Sequence, residues 1–277
     1  MSFTNQRSLV YSLFFWIFQA SHLMAVDSKI ESAPRDSLLY LRIYNQSYDR
    51  SQPWKGLSIS ETKSIGIVLK VPSLGKVILT TAYSLVEAKR YEMQKFYTSK
   101  RHELDLVFVD KEINLALIKP QDKRVLDSIT GVKLGREVKI NQDLFIYAAS
   151  SPKRITSHPI RNSSVNVKKS SISSYPCLFY LLKTQKKYLG WSEPIFSQNK
   201  LVALSSGRDR DYIRAIPVNI IKHFIKDNLN NKYKGFATLG IETKKLIAPN
   251  MRQSLKVNEV EGGIRVVKVF PHSPFDG

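Results

Sequence analysis

The chain has 277 residues, 43% of them hydrophobic and 24% charged, and its 12 Gly and 12 Pro follow no period. That composition suits a globular protein with a buried core and excludes collagen-like and repeat architectures. Lys and Arg number 43 against 23 Asp and Glu, a net charge of +20 that favours anionic partners, and the single cysteine, Cys177, excludes an intrachain disulfide or a cysteine zinc cluster.

In chain order, Arg7 is the only charged side chain before Asp27, and the apolar run Leu9–Phe18 follows it. That run is about half the 20 residues of a membrane-spanning helix. With Ala25 as a small residue for cleavage, residues 1–25 read as a signal peptide, and export to the periplasm or cell envelope is expected. Cleavage would remove Arg7 alone and leave the strong positive charge. In that compartment its partners would be an anionic envelope surface or acidic polypeptide, with nucleic acid not expected. The lysines stand singly or in pairs (Lys168-Lys169, Lys186-Lys187, Lys244-Lys245), which is also the pattern of an ordinary solvated surface.

Short apolar, β-branched segments then recur between turns: Leu38–Ile43, Ile65–Val71, Lys76–Thr80, Leu104–Val109 and Leu115–Ile118. A second series runs Val138–Ile140, Leu144–Ala148, Ser164–Val167, Cys177–Leu182, Leu201–Leu204 and Tyr212–Ala215. This spacing predicts an all-β barrel or sandwich. One helix is predicted over Val218–Asn228, with Ile220, Ile221, Phe224 and Ile225 sharing a face. A polar linker over 229–235 separates it from a further β-rich segment, 236–277, whose clearest strand is Gly263–Val269.

Five segments, in order, resemble the landmarks of HtrA-type serine proteases, in which a trypsin-like domain precedes PDZ domains. Ser64-Ile65-Gly66-Ile67-Val68-Leu69 resembles the GSGFVI strand. Ile78-Leu79-Thr80-Thr81-Ala82-Tyr83-Ser84-Leu85-Val86 is similar to ILTNxHVV, with Tyr83 at the catalytic histidine. Asp110 to Lys119 is similar to DxxxDLAVLK, with Asn114 at the catalytic aspartate, and Gly190-Trp191-Ser192-Glu193-Pro194 is similar to the nucleophile motif GNSGGP, read with one glycine lost and Ser192 as the serine. Tyr212 to Asn219 resembles the closing GFAIPxN segment. The resemblance implies a trypsin-like double β-barrel over 33–228, with barrels at about 33–123 and 130–217 and a C-terminal helix at 218–228. It further implies a partial PDZ-like segment over 236–277, in which Thr238, Leu239, Gly240 and Ile241 match the carboxylate-binding loop. The likeness breaks off before the segments that form the opposite wall of the peptide groove, so weak binding of peptide C-termini is expected.

Serine attack on a carbonyl needs a base, a group that orients the base, and donors for the developing oxyanion. A phenol, ordinarily protonated at neutral pH, offers a hydrogen where the base must accept one. A neutral amide at position 114 could not support an imidazolium. The resemblance puts the oxyanion donors on the N–H groups of Gly190 and Ser192, where Glu193 would bring an unwelcome negative charge. The histidines offer no rescue: His102 is expected on the turn Ser99–Glu103, His158 on a Ser-rich connection, His223 on the helix, His272 in the PDZ-like turn and His22 in the signal segment. Lys183, Lys186 and Lys187 lie in a polar run, where a lysine is not desolvated enough to act as a base. Cys177 reads as a small buried hydrophobe without a catalytic role.

These residues together imply a pseudoprotease that uses neither metal nor cofactor and that binds unfolded polypeptide or joins homo- or hetero-oligomers of HtrA-like chains. Ser205, Ser206 and Gly207 resemble the segment on which such enzymes pair substrate backbone, so a peptide is expected to add there as a strand. Two alternatives stay open: a residual Ser192-dependent endopeptidase, and a basic envelope-surface binding protein.

Overall fold

The computed structural model describes residues 34–47, 51–85, 88–173, 176–229, 235–236, 239–257 and 263–276. The expected signal peptide and Thr238 lie outside them. The chain divides into two compact units between Lys232 and Tyr233.

The first unit is all-β, as expected, and holds two closed six-stranded barrels. Barrel one comprises β1 (Leu38–Ser47), β2 (Ser58–Val71), β3 (Gly75–Thr80), β4 (Ala88–Lys95), β5 (Arg101–Asp110) and β6 (Leu115–Pro120). Barrel two comprises β7 (Asp143–Ser151), β8 (Arg154–Lys169), β9 (Pro176–Lys183), β10 (Trp191–Ser197), β11 (Lys200–Asp209) and β12 (Tyr212–Pro217). The ring β1-β2-β3-β6-β5-β4 recurs as β7-β8-β9-β12-β11-β10, the same connectivity used twice. Alternation along the strands fills each interior. Leu39, Leu41 and Ile43 of β1 meet Val68, Ile78, Met93 and Ile118; Leu144 and Ile146 of β7 meet Leu182, Ile195, Ala203 and Ile213.

The connection between barrels is stitched to both: Val132 N donates to Val68 O at 2.8 Å, and Gly135 N to Leu201 O at 2.8 Å. A Cβ on Gly135 would meet Val202 Cγ1 at 2.8 Å, so only glycine passes this close to β11. The helix α1 (Val218–Leu229) buries Val218, Ile221 and Phe224 and lays the Phe224 ring 5.6 Å from Phe108 of β5.

Two expectations are corrected. Val138–Ile140 is not a strand: Ile140 is exposed, and Val138 N donates to the Tyr180 hydroxyl instead of to a neighbouring strand. Conversely, β4 reads as charged sequence, Ala88-Lys89-Arg90-Tyr91-Glu92-Met93-Gln94-Lys95, yet it closes barrel one between β1 and β5. Met93 supplies its apolar interior, while buried Glu92 is neutralised by Arg90 at 3.0 Å and Arg101 at 3.6 Å and accepts from the Tyr44 hydroxyl.

The second unit contains β13 (Ile241–Lys245), α2 (Pro249–Ser254) and β14 (Ile264–Val269), the two strands pairing antiparallel from Ile241–Val269 to Lys245–Ile264.

Candidate functional site

Tyr83 and Asn114 come from barrel one and the Gly190–Pro194 segment from barrel two. Tyr83 sits on the single 3-10 turn Ala82–Leu85 that follows β3. Asn114 ends the tight turn between β5 and β6, where Asp110 Oδ1 accepts from Glu112 N at 2.8 Å and Ile113 N at 3.2 Å. That turn leaves Asn114 left-handed at φ 61°, a conformation asparagine tolerates better than most residues. The fully buried Asn114 accepts from Tyr83 N through Oδ1 at 2.6 Å and donates from Nδ2 to Ser206 Oγ at 2.7 Å. A backbone N–H can only donate, which fixes the amide's orientation. The structure thus brings positions 83 and 114 together and ties them to β11.

Ser192 lies elsewhere in the same junction. It is 2% exposed, left-handed at φ 67°, and its hydroxyl pairs with Thr81 Oγ1 and, at 3.2 Å, with Ser84 Oγ. Thr81 and Ser84 also pair with each other at 3.1 Å, and Ser84 donates to Ser64 Oγ at 3.4 Å. These partners are hydroxyls, which do not take a proton from serine at neutral pH. The ring that meets Tyr83 belongs to Trp191, with centroids 5.1 Å apart and planes 32° apart. Both rings remain about half exposed, at 48% for Tyr83 and 45% for Trp191.

Glu193 turns inward. Its Oε2 accepts from Gly190 N at 2.9 Å, from Trp191 N at 2.6 Å and from the Ser205 hydroxyl, which itself accepts from Glu193 N at 2.7 Å. Burial pushes the carboxyl's pKa up; the Ser205 hydrogen bond and then the backbone N–H groups oppose the shift. Leu189 N is also engaged, donating to Lys186 O at 3.3 Å. The expected oxyanion donor Gly190 N–H therefore already points at an internal carboxylate.

Ser205, Ser206 and Gly207 are buried within β11 between β10 and β12. Ser206 O accepts from the Ser171 hydroxyl, and a Cβ on Gly207 would meet Ser171 Oγ at 2.6 Å and Arg214 Nη2 at 2.8 Å. A peptide adding as a strand at Ser206 would have to displace Ser171. In the second unit Leu239 is exposed, Gly240 is left-handed at φ 62° with its carbonyl accepting from Phe270 N, and Ile241 pairs with Val269.

Two histidine placements are corrected. His102 lies on β5 opposite Met93, not on a turn; His158 lies on β8, bonded to Thr156 Oγ1 and to the Tyr188 hydroxyl at 3.0 Å each. His223 pairs with Asp227 on α1, and His272 N donates to Asp276 Oδ2. Lys183, Lys186 and Lys187 are exposed. Among the described residues no group of three or more His, Cys, Asp or Glu side chains could hold a metal ion.

Trp191 is the site residue that the sequence reading missed. A signal was present: counted back from Pro194 without a gap, GNSGGP falls on Leu189–Pro194, with Trp191 in the serine's column and Ser192 in a glycine's.

Two curated proteases align with most of the chain. The serine protease DegP homolog of Plasmodium falciparum is 24% identical over 212 residues, covering 71% of this chain, and protease Do-like 4, mitochondrial, of Arabidopsis thaliana is 22% identical over 238 residues, covering 80%. The chain is similar in sequence to DegP- and Do-like proteases and shares the fold of HtrA-type, trypsin-like proteases. The matches span only 24% and 43% of those relatives' own lengths. No family model matches. Solved structures share the fold: the HtrA-type protease AlgW with a decapeptide superposes at TM-score 0.61 and 15% identity over 87% of this chain and 78% of that one. The Rv3671c protease of M. tuberculosis in its active form gives 0.55 and 12% over 74% and 84%.

Proposed function

We propose that this HtrA-like chain is a pseudoprotease that binds polypeptide where its two barrels meet. The observation that carries this reading is the stacked, half-exposed pair Tyr83–Trp191. In the ungapped register it occupies the places of the catalytic histidine and serine. The left-handed backbone of Ser192 supports that register, since it suits a position where the family has glycine. Ser192 is then a buried structural hydroxyl, and the loop needs no deletion.

In either register, oxyanion donors are already engaged. With Ser192 as nucleophile one donor would be Gly190 N–H; with position 191 the donors would be Leu189 and Trp191 N–H, and all three are already engaged. What remains at the junction is an aromatic surface open to solvent, suited to an apolar or aromatic side chain of an unfolded chain. AlgW, solved with a decapeptide, supports peptide as the ligand class. We further propose export directed by residues 1–25; N-terminal sequencing should begin near Val26, and intact Met1 in soluble cytoplasm would refute it.

A reduced, alkylated polypeptide titrated into the full chain should quench tryptophan fluorescence and remain uncut. Trp191→Ala should weaken binding about tenfold, the loss of roughly 1.4 kcal/mol. Cleavage abolished by Ser192→Ala, or labelling of Ser192 by a serine-directed reagent, would establish the residual-endopeptidase alternative instead.

A further inference from the structure

A pocket of about 550 Å³ opens on barrel one, and it shares no lining residue with the barrel junction. Lys95 reaches it from the end of β4, Lys100 from the β4–β5 turn and His102 from β5, while Asp122, Arg124 and Ser128 follow β6. The single carboxylate in this lining is already committed. Arg124 grips Asp122 with Nε at 3.1 Å from Oδ1 and Nη2 at 3.5 Å from Oδ2, and Arg124 N donates to the same Oδ1 at 3.1 Å. Among the described residues neither Lys95 nor Lys100 forms an ion pair, and Lys95 Nζ donates to the neutral hydroxyl of Ser128 at 2.8 Å. Two lysines thus line one concave surface without an ion-pair partner among the described residues.

We propose that this pocket binds a small phosphate-bearing anion, held by Lys95 and Lys100 with His102 and Ser128 as further donors. The volume lies in the range of small-molecule sites, larger than one free phosphate requires. A dianionic phosphate would supply the missing counter-charge and accept from several donors at once. Consistent with an electropositive lining, partial burial and the charges of Lys100 and Lys95 push the His102 pKa down, and only Asp122 opposes them. An anion seated beside the ring would reverse that shift.

The test follows the His102 ring proton by NMR in the full chain, with His102→Gln to assign it. Inorganic pyrophosphate at about 5 mM, enough to fill a millimolar site, should raise the His102 pKa by roughly half a unit beyond sodium chloride of equal ionic strength. Lys95→Met with Lys100→Met keeps the aliphatic stems and should weaken pyrophosphate binding at least tenfold, while raising the His102 pKa in chloride alone. Equal movement in chloride and pyrophosphate would reduce the effect to screening and overturn the proposal. So would an undiminished pyrophosphate effect in the double variant, and equal binding of citrate would overturn the phosphate class.

Discussion

In the proposed pseudoprotease reading, the two halves of the junction depart from a working protease in different ways. The half from barrel one keeps its scaffold: a tight turn presents Asn114, whose amide spans Tyr83 N and Ser206 Oγ, and only the chemistry of the side chains is wrong. The half from barrel two is rebuilt. Trp191 lies half exposed against Tyr83, Ser192 is buried among hydroxyls, and Glu193 draws the loop's amides inward. In that reading, a scaffold with altered side chains is two substitutions, at positions 83 and 114, from the family's chemistry. A loop whose amides share one internal acceptor is held in place by the same contacts that engage them.

The largest expected effect breaks the rebuilt half. Glu193→Ala would leave Gly190 N, Trp191 N and the Ser205 hydroxyl without their acceptor, and should cost about 3 kcal/mol or more in urea unfolding. The pH dependence has a defined sign. Because the folded pKa is raised, the carboxyl binds its proton more readily in the native state, so its contribution is fully present below the ordinary value of 4.5 and is lost as pH rises through the folded pKa. Glu193→Gln should flatten that part of the stability profile. An unchanged profile would mean that the carboxyl does not titrate against folding.

Next in size, Asn114→Ala tests the kept half. It orphans Tyr83 N and the buried Ser206 hydroxyl and should cost about 2 kcal/mol. A smaller loss than that of Glu193→Ala would rank the two halves as described; a larger one would reverse the comparison.

Cys177 sharpens the same contrast at lower amplitude. Its thiol on β9 donates to Glu112 O at 3.4 Å, so barrel two braces the turn that presents Asn114, and Ser173 Oγ donates to the same carbonyl. Cys177→Ala should cost about 1 kcal/mol. Burial pushes the thiol up to about 12, so the native protein should resist iodoacetamide at pH 8 and react only in denaturant. Rapid native labelling would show that the brace opens.

How much of this was legible depended on whether one residue's type or the joint environment of several decides the feature. The barrels were legible because Leu39-Leu41-Ile43 and Leu144-Ile146 alternate inward. β4 was not, because Met93, its residue in the apolar interior, is hidden among charged neighbours, of which buried Glu92 pairs with Arg90 and Arg101. Asn114 and Tyr83 are singled out by flanking landmarks, and the structure joins them through the Tyr83 N–H to Asn114 Oδ1 bond. The reading of Ser192 rests on the identity of a serine; the spacing to Pro194 offers the other register, and in space the ring that meets Tyr83 belongs to Trp191.

The smallest expected effect is on catalysis. Tyr83→His, Asn114→Asp and Trp191→Ser together restore three side chains in places already brought together by the Tyr83–Trp191 stack and the Asn114 bond to Tyr83 N. An ester substrate should nevertheless be turned over no faster than background. The donors at Gly190 and Trp191 still serve Glu193, and losing one oxyanion donor alone costs about 10² to 10³ in turnover. An unopened loop also leaves the new serine misplaced, and an error near 1 Å costs about 10²-fold more. Adding Glu193→Gly with Ser192→Gly removes the internal acceptor and relieves the left-handed strain at position 192, so any esterase activity should first appear in that five-position variant. If the triple variant is already active, Glu193 is not what silences the loop, and the defect lies in the side chains at positions 83, 114 and 191 rather than in the engaged donors.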